Sequence, residues 1–168
     1  MQNVHGGASK LEALAPGGAF RFYFRGEGAI GLKAQFPHIA VALALTSTNA
    51  FRSGALLSGF DVGDVIALAG AKIVPSIKPG TVAPGKGHFA QPGEIELHGD
   101  RLFFVTPPHA DSGIIFRVDL QSGDIGRASG AMPVEIYSEW SIQDGAETIH
   151  EHKATPADLA GSVVVAVE

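Results

Sequence analysis

The sequence contains no cysteine. That single absence excludes disulfides, zinc–thiolate sites, iron–sulfur clusters and cysteine nucleophiles together. Long apolar runs are missing too. The longest, IAVALAL at 39–45, falls far short of the roughly 20 residues a membrane helix needs. The opening MQNVHGGASK has neither the basic start nor the apolar core of a secretory leader. A soluble, cytoplasmic protein without a membrane partner is therefore the expectation.

Charge is scarce. Asp, Glu, Lys and Arg make up 17% of the 168 residues, against about 25% in an average soluble domain. A small protein has much surface to cover, so the shortage points to surface that meets protein, and a homo-oligomer is the expected state. The competing reading is a surface covered by Ser, Thr, Gln and Gly. The net charge of −5 and the lack of a basic patch with interleaved aromatics argue against a nucleic-acid partner.

The charges that are present are unevenly placed. Residues 1–93 hold eight Lys/Arg and four Asp/Glu, and residues 94–168 hold four and thirteen. Opposite-signed halves can serve as complementary surfaces, within one molecule or between copies.

Alternation dominates the chain. AFRFYFR (19–25) puts Phe20, Phe22 and Phe24 on one face and Arg21, Tyr23 and Arg25 on the other. EIELH (94–98) sets Ile95 and Leu97 against Glu94, Glu96 and His98, the acids reading as a solvated face. IIFRVDL (114–120) places Phe116 and Val118 on its apolar phase. VEIYSEW (134–140) sends Val134, Ile136 and Trp140 inward and Glu135, Tyr137 and Glu139 outward. Period two with β-branched and aromatic enrichment predicts half-buried strands. Uninterrupted apolar runs at 38–45, 62–70 and 162–167 predict strands buried on both faces or paired in an interface. Helix signals are confined to ASKLEAL (8–14) and TPADLA (155–160), the latter with Thr155 as cap and Pro156 at the first helical position. The expected fold is a single all-β domain over 1–168, an antiparallel barrel or sandwich with at most two short helices.

Residues 75–93 break the rhythm, with four prolines and four glycines and no apolar period. A long Pro/Gly-rich loop of this kind reads as an extended arm joining lobes at 1–74 and 94–168. Its Lys78 and Lys86 are candidates for contact with the acid-rich half, on another subunit or on the same chain. Gly80, Gly85 and Lys86 imitate a phosphate loop, but Gly87 replaces the magnesium-holding Ser or Thr, and a strand rather than a helix is expected next.

Candidate chemistry is sparse. In IHEH, His150 and His152 share one strand face with Cα atoms roughly 6.6 Å apart, a chelating spacing that still needs a third ligand. His5, His38, His88, His98 and His109 are the available donors. Arg21 and Arg25 are candidates for gripping a carboxylate or phosphate. The leading expectation is a non-enzymatic, self-associating assembly protein without a cofactor. Its rivals are a small β-barrel enzyme (a lyase, isomerase or metal-dependent enzyme) using His150 and His152 with Glu135 or Tyr137 in a cavity, and a carrier of a small acidic ligand.

Overall fold

The computed structural model describes residues 7–78, 82–84, 89–127 and 132–153. Strands form where the alternation lies. β1 (Ser9–Lys10) leads into a single 3-10 turn, Leu11–Ala13, and then come β2 (Ala19–Phe24), β3 (Glu27–Phe36), β4 (Ile39–Ala44) and β5 (Leu56–Ser58). A one-turn helix α1 (Gly59–Val62), capped by the Ser58 side chain accepting from Asp61 N, precedes β6 (Asp64–Ala67) and β7 (Ala71–Pro75). The rest is strand: β8 (Val82–Pro84), β9 (Ile95–His98), β10 (Arg101–Val105), β11 (Phe116–Asp119), β12 (Ile125–Arg127), β13 (Glu135–Tyr137), β14 (Glu139–Asp144) and β15 (Glu147–Lys153).

Three antiparallel sheets result, with strand orders β1-β6-β2-β3-β4-β5, β12-β11-β10-β9-β13-β8 and β15-β14-β7. They include a curled half-barrel, and the protein is all-β. No helix among the described residues is long and apolar enough to cross a membrane.

The first sheet is buried on both faces. On one face Phe20, Phe22, Ala29, Ala42 and Val65 pack with Leu11 and Val62. On the other, Ile30, Leu32, Ala34, Val41 and Leu43 meet Ile95, Phe104, Val118 and Tyr137 of the second sheet and Trp140 and Ile142 of the third. This is why 39–45 is an unbroken apolar run rather than an alternating one. The buried Lys33 fits here because its Nζ donates to the carbonyls of Glu12 and Leu14, at 2.8 and 2.6 Å. A backbone bond from Gln35 N to Gly123 O, 2.8 Å, joins the first sheet to the β11–β12 turn, and one from Gly17 N to Lys33 O, also 2.8 Å, ties the segment before β2 to β3.

Most of the expected core is in place. Phe20, Phe22, Ile95, Val118, Ile136 and Trp140 are buried, while Phe24, Leu97 and Phe116 are partly buried at the margins. The phase of 134–140 is the exception. Val134 is 60% exposed and Tyr137 is buried. The chain changes sheet between β13 and β14, and period two holds only within one strand. Tyr137 pairs with Ile95 and faces the core, whereas Ile136 pairs with Glu96 on the outer face of the second sheet. Trp140 then points inward on a fresh phase.

The segment 75–93 is less irregular than its composition implies. Its middle, Val82–Pro84, is an edge strand paired with Glu135–Tyr137 of the same chain. The residues of the phosphate-loop imitation at Gly80, Gly85, Lys86 and Gly87 lie outside the described residues, as do the helix signal at 155–160 and the apolar run at 162–167. The element that follows the arm is β9, a strand.

Candidate functional site

β15 is the edge of the three-stranded sheet, and its register decides where the histidines point. His150 lies opposite Ile142 and His152 opposite Trp140. Cross-strand partners share a face, so both imidazoles turn toward the buried indole. The His152 ring stacks on Trp140 with centroids 4.5 Å apart and planes 14° apart, and His150 sits tilted at 6.0 Å. Ile149 falls at a register shift, between the pairs Ile142–His150 and Gln143–Thr148, and such a bulge bends the edge strand.

Behind the pair, the Trp140 Nε1–H donates to Gly93 O at 2.9 Å. Gly93 has φ +88°, and a Cβ there would lie 3.3 Å from His152 Nε2. Glycine suits the backbone conformation, and any Cβ there would press on the ring.

β15 faces the β2–β3 ribbon across a cleft of about 570 Å³. The floor is Arg21, Gly28 and Ile30, with Thr46 and Ser47 at one end and Ile149–Lys153 as the wall. Arg21 pairs with Ile30 in register and so shares its face. Thr46 Oγ1 is fixed by accepting from Ile30 N at 3.0 Å. Arg21 and Lys153 outnumber Glu151, giving the cleft a positive balance beside two isoleucine walls. Burial holds His150 below its ordinary value of 6.5, with Glu151 pulling the other way. It is neutral at pH 7, with one donor and one acceptor to offer. Such a lining can grip a carboxylate with the arginine fork and cover an apolar body with Ile30 and Ile149.

The candidate residues separate into those the fold assembles and those it disperses. Arg21, His150 and His152 come together in the cleft. Arg25 does not join them: with Gly26 it forms the β2–β3 turn, at φ 51° and 83°, and its guanidinium lies 5.2 Å above the Phe24 ring. A two-residue hairpin with both φ positive matches the twist of the strands, which is why the alternation stops at Phe24.

Glu135 and Tyr137 lie on β13 and do not line the cleft. The Tyr137 hydroxyl donates to the Glu135 carboxylate, and this bond, helped by burial and the carboxylate's charge, pushes the phenol up to about 12. No group of three or more His, Cys, Asp or Glu placed to hold a metal occurs among the described residues, so the histidine pair has no third ligand there. Lys78 is exposed just beyond β7, and Lys86 lies outside the described residues.

The acids of EIELH are not a solvated face. Glu96 is 1% exposed. On the outer side of the second sheet Arg117 Nε and Nη2 both donate to its carboxylate, the latter at 2.7 Å, and His98 Nε2 lies 2.8 Å from it. Desolvation raises the Glu96 pKa, but the hydrogen bonds and positive charge of Arg117 and His98 outweigh it and hold the group below its usual value. Asp119, also buried, forms an ion pair with Arg101 at 2.5 Å and accepts from the backbone N–H groups of Gln121 and Ser122. Charged side chains alternating with apolar ones read as solvent-facing in a sequence; side chains from β10, β11 and β13 are what bury these.

No protein-family model, curated protein or solved structure matches this chain.

Proposed function

We propose that the protein binds a small carboxylic acid with an apolar body in the cleft between the β2–β3 ribbon and β15. The observation that carries this reading is the convergence of Arg21, His150 and His152 on one open cavity. Its volume of about 570 Å³ falls within the roughly 300–1,000 Å³ of small-molecule sites. Binding is favoured over catalysis because the acid–base candidates Glu135 and Tyr137 are bonded to each other away from the cleft. In this reading Arg21 fixes the carboxylate and Ile30 and Ile149 shield the apolar body. Neutral His150 supplies a hydrogen bond, and His152, stacked on Trp140, forms a rigid end wall.

Benzoate is a suitable probe. Calorimetric titration should give saturable binding to the wild type, and Arg21→Gln should weaken it by about tenfold or more, as expected for losing a charge-assisted bond. Arg21 is exposed, so the variant keeps its fold. Equal affinity in the two proteins, or no binding in either, would refute the reading.

A second reading, self-association, is favoured by large apolar side chains left in solvent: Phe60 is 96%, Ile77 83%, Phe89 79% and Tyr23 68% exposed. Burying such groups against a second copy is the usual fate of an apolar surface of this kind. The two readings are compatible.

A further inference from the structure

Building on the carboxylate-cleft reading, we infer that the acid is the carboxyl end of an extended peptide, which adds as a strand to the free edge of β15 while Arg21 holds its terminal carboxylate. β15 pairs with β14 on one side and has no strand on the other among the described residues. Ile149, His150, Glu151, His152 and Lys153 all line the cleft. A strand face alone would contribute only every second residue, so the edge itself borders the cavity.

The register shows which backbone groups that edge offers. Ser76 N donates to Glu139 O at 2.9 Å, so Glu139 directs its backbone groups toward β7. In an antiparallel ladder these directions alternate along a strand. Trp140 and Ile142 therefore bond toward β15, to His152 and His150, and Pro75, which has no N–H, sits opposite Trp140. Glu151 and Lys153 are left with N–H and C=O groups directed outward, the arrangement that a guest strand extends. The bulge at Ile149 interrupts the ladder beyond them. The usable edge is short, and it suits a chain end better than a long strand.

The opposite wall suits the same guest. Gly28 has no side chain there, and within 4 Å the Cβ it lacks would meet only the Tyr23 ring, at 3.5 Å. That leaves room for a strand beside β15. Arg21, which makes no ion pair among the described residues, and Lys153 complement the terminal carboxylate. Ile30 and Ile149 cover an apolar last side chain.

The probes are the tripeptide acetyl-Ala-Thr-Val with a free carboxylate, its carboxamide, and forms methylated at the Thr or the Val nitrogen. Binding to the full chain is measured by calorimetry, with benzoate as competitor. The free acid should displace benzoate and bind about tenfold or more tightly than it, because backbone hydrogen bonds are added. The carboxamide on wild type, and the acid on Arg21→Gln, should each bind about tenfold more weakly. One N-methyl form should lose about tenfold and the other should match the parent, since only alternate N–H groups of a strand reach its neighbour. A peptide that binds no tighter than benzoate, fails to displace it, keeps its affinity as the carboxamide or responds alike to both methylations overturns the inference and leaves the cleft reading standing. Binding of neither benzoate nor peptide removes both.

Discussion

His150, Tyr137 and Gly93 each carry a consequence of being placed where the chain crowds. Because burial lowers the His150 pKa, the unfolded chain binds the more protons just below pH 6.5, and stability there must rise with pH. The contribution is present above the ordinary histidine value and lost as the pH falls through the folded one. Denaturant titrations from pH 7.5 to 5 should show a steeper loss in wild type than in His150→Gln; parallel curves would contradict the buried placement. Tyr137 works in the opposite direction. Its raised pKa of about 12 contributes stability below the ordinary phenol value of 10 that is lost as the pH climbs toward 12. Ultraviolet titration should show a phenol ionising near 12, and Glu135→Gln should bring it down. Gly93→Ala faces both a positive φ and the His152 ring. It should cost about 1–2 kcal/mol from backbone strain alone, measured by chemical denaturation.

Strands and turns show which parts of the molecule the sequence discloses. Phe20 and Phe22 alternate with Arg21 within one strand, and the burial follows the pattern. Phe22, 1% exposed and stacked with Phe51 at 5.9 Å, should cost about 3–5 kcal/mol on truncation to alanine. A loss below about 1 kcal/mol would mean that the β2 phase is wrong. Local pattern fails at three kinds of place. A turn takes Arg25 out of register with Arg21, and a change of sheet after Tyr137 reverses the expected faces of Val134 and Tyr137. The third is the outer face of β9, where Glu96 lies between Phe103 of β10 and Ile136 of β13 and takes the Arg117 side chain of β11. All three depend on which strands become neighbours, and that information is spread along the chain. The histidine pair was legible as a shared face, but its stacking on Trp140 and its meeting with Arg21 come from the β14–β15 register and the packing of two sheets.

For the whole molecule, the opposite-signed halves bear on association. The arm's described strand β8 pairs with Glu135–Tyr137 of its own chain. If copies of the chain also use this polarity, the Lys78→Glu, Lys86→Glu double variant should associate more weakly at low salt and resemble wild type at high salt, because screening removes surface attractions beyond about 10 Å at 0.1 M. Sedimentation velocity at both salts checks this, and identical behaviour at both would leave the exposed apolar side chains, Phe60 foremost, as the basis of any association.

The cleft reading places a ligand near the protein's one tryptophan, because His150 and His152, which line the cleft, both contact the Trp140 ring. Tryptophan emission during a benzoate titration is therefore the most direct measurement. The account predicts a saturable change whose midpoint matches the calorimetric affinity and which is absent in Arg21→Gln. Flat emission across the range in which calorimetry saturates, or an unchanged response in Arg21→Gln, would place the ligand elsewhere and contradict it.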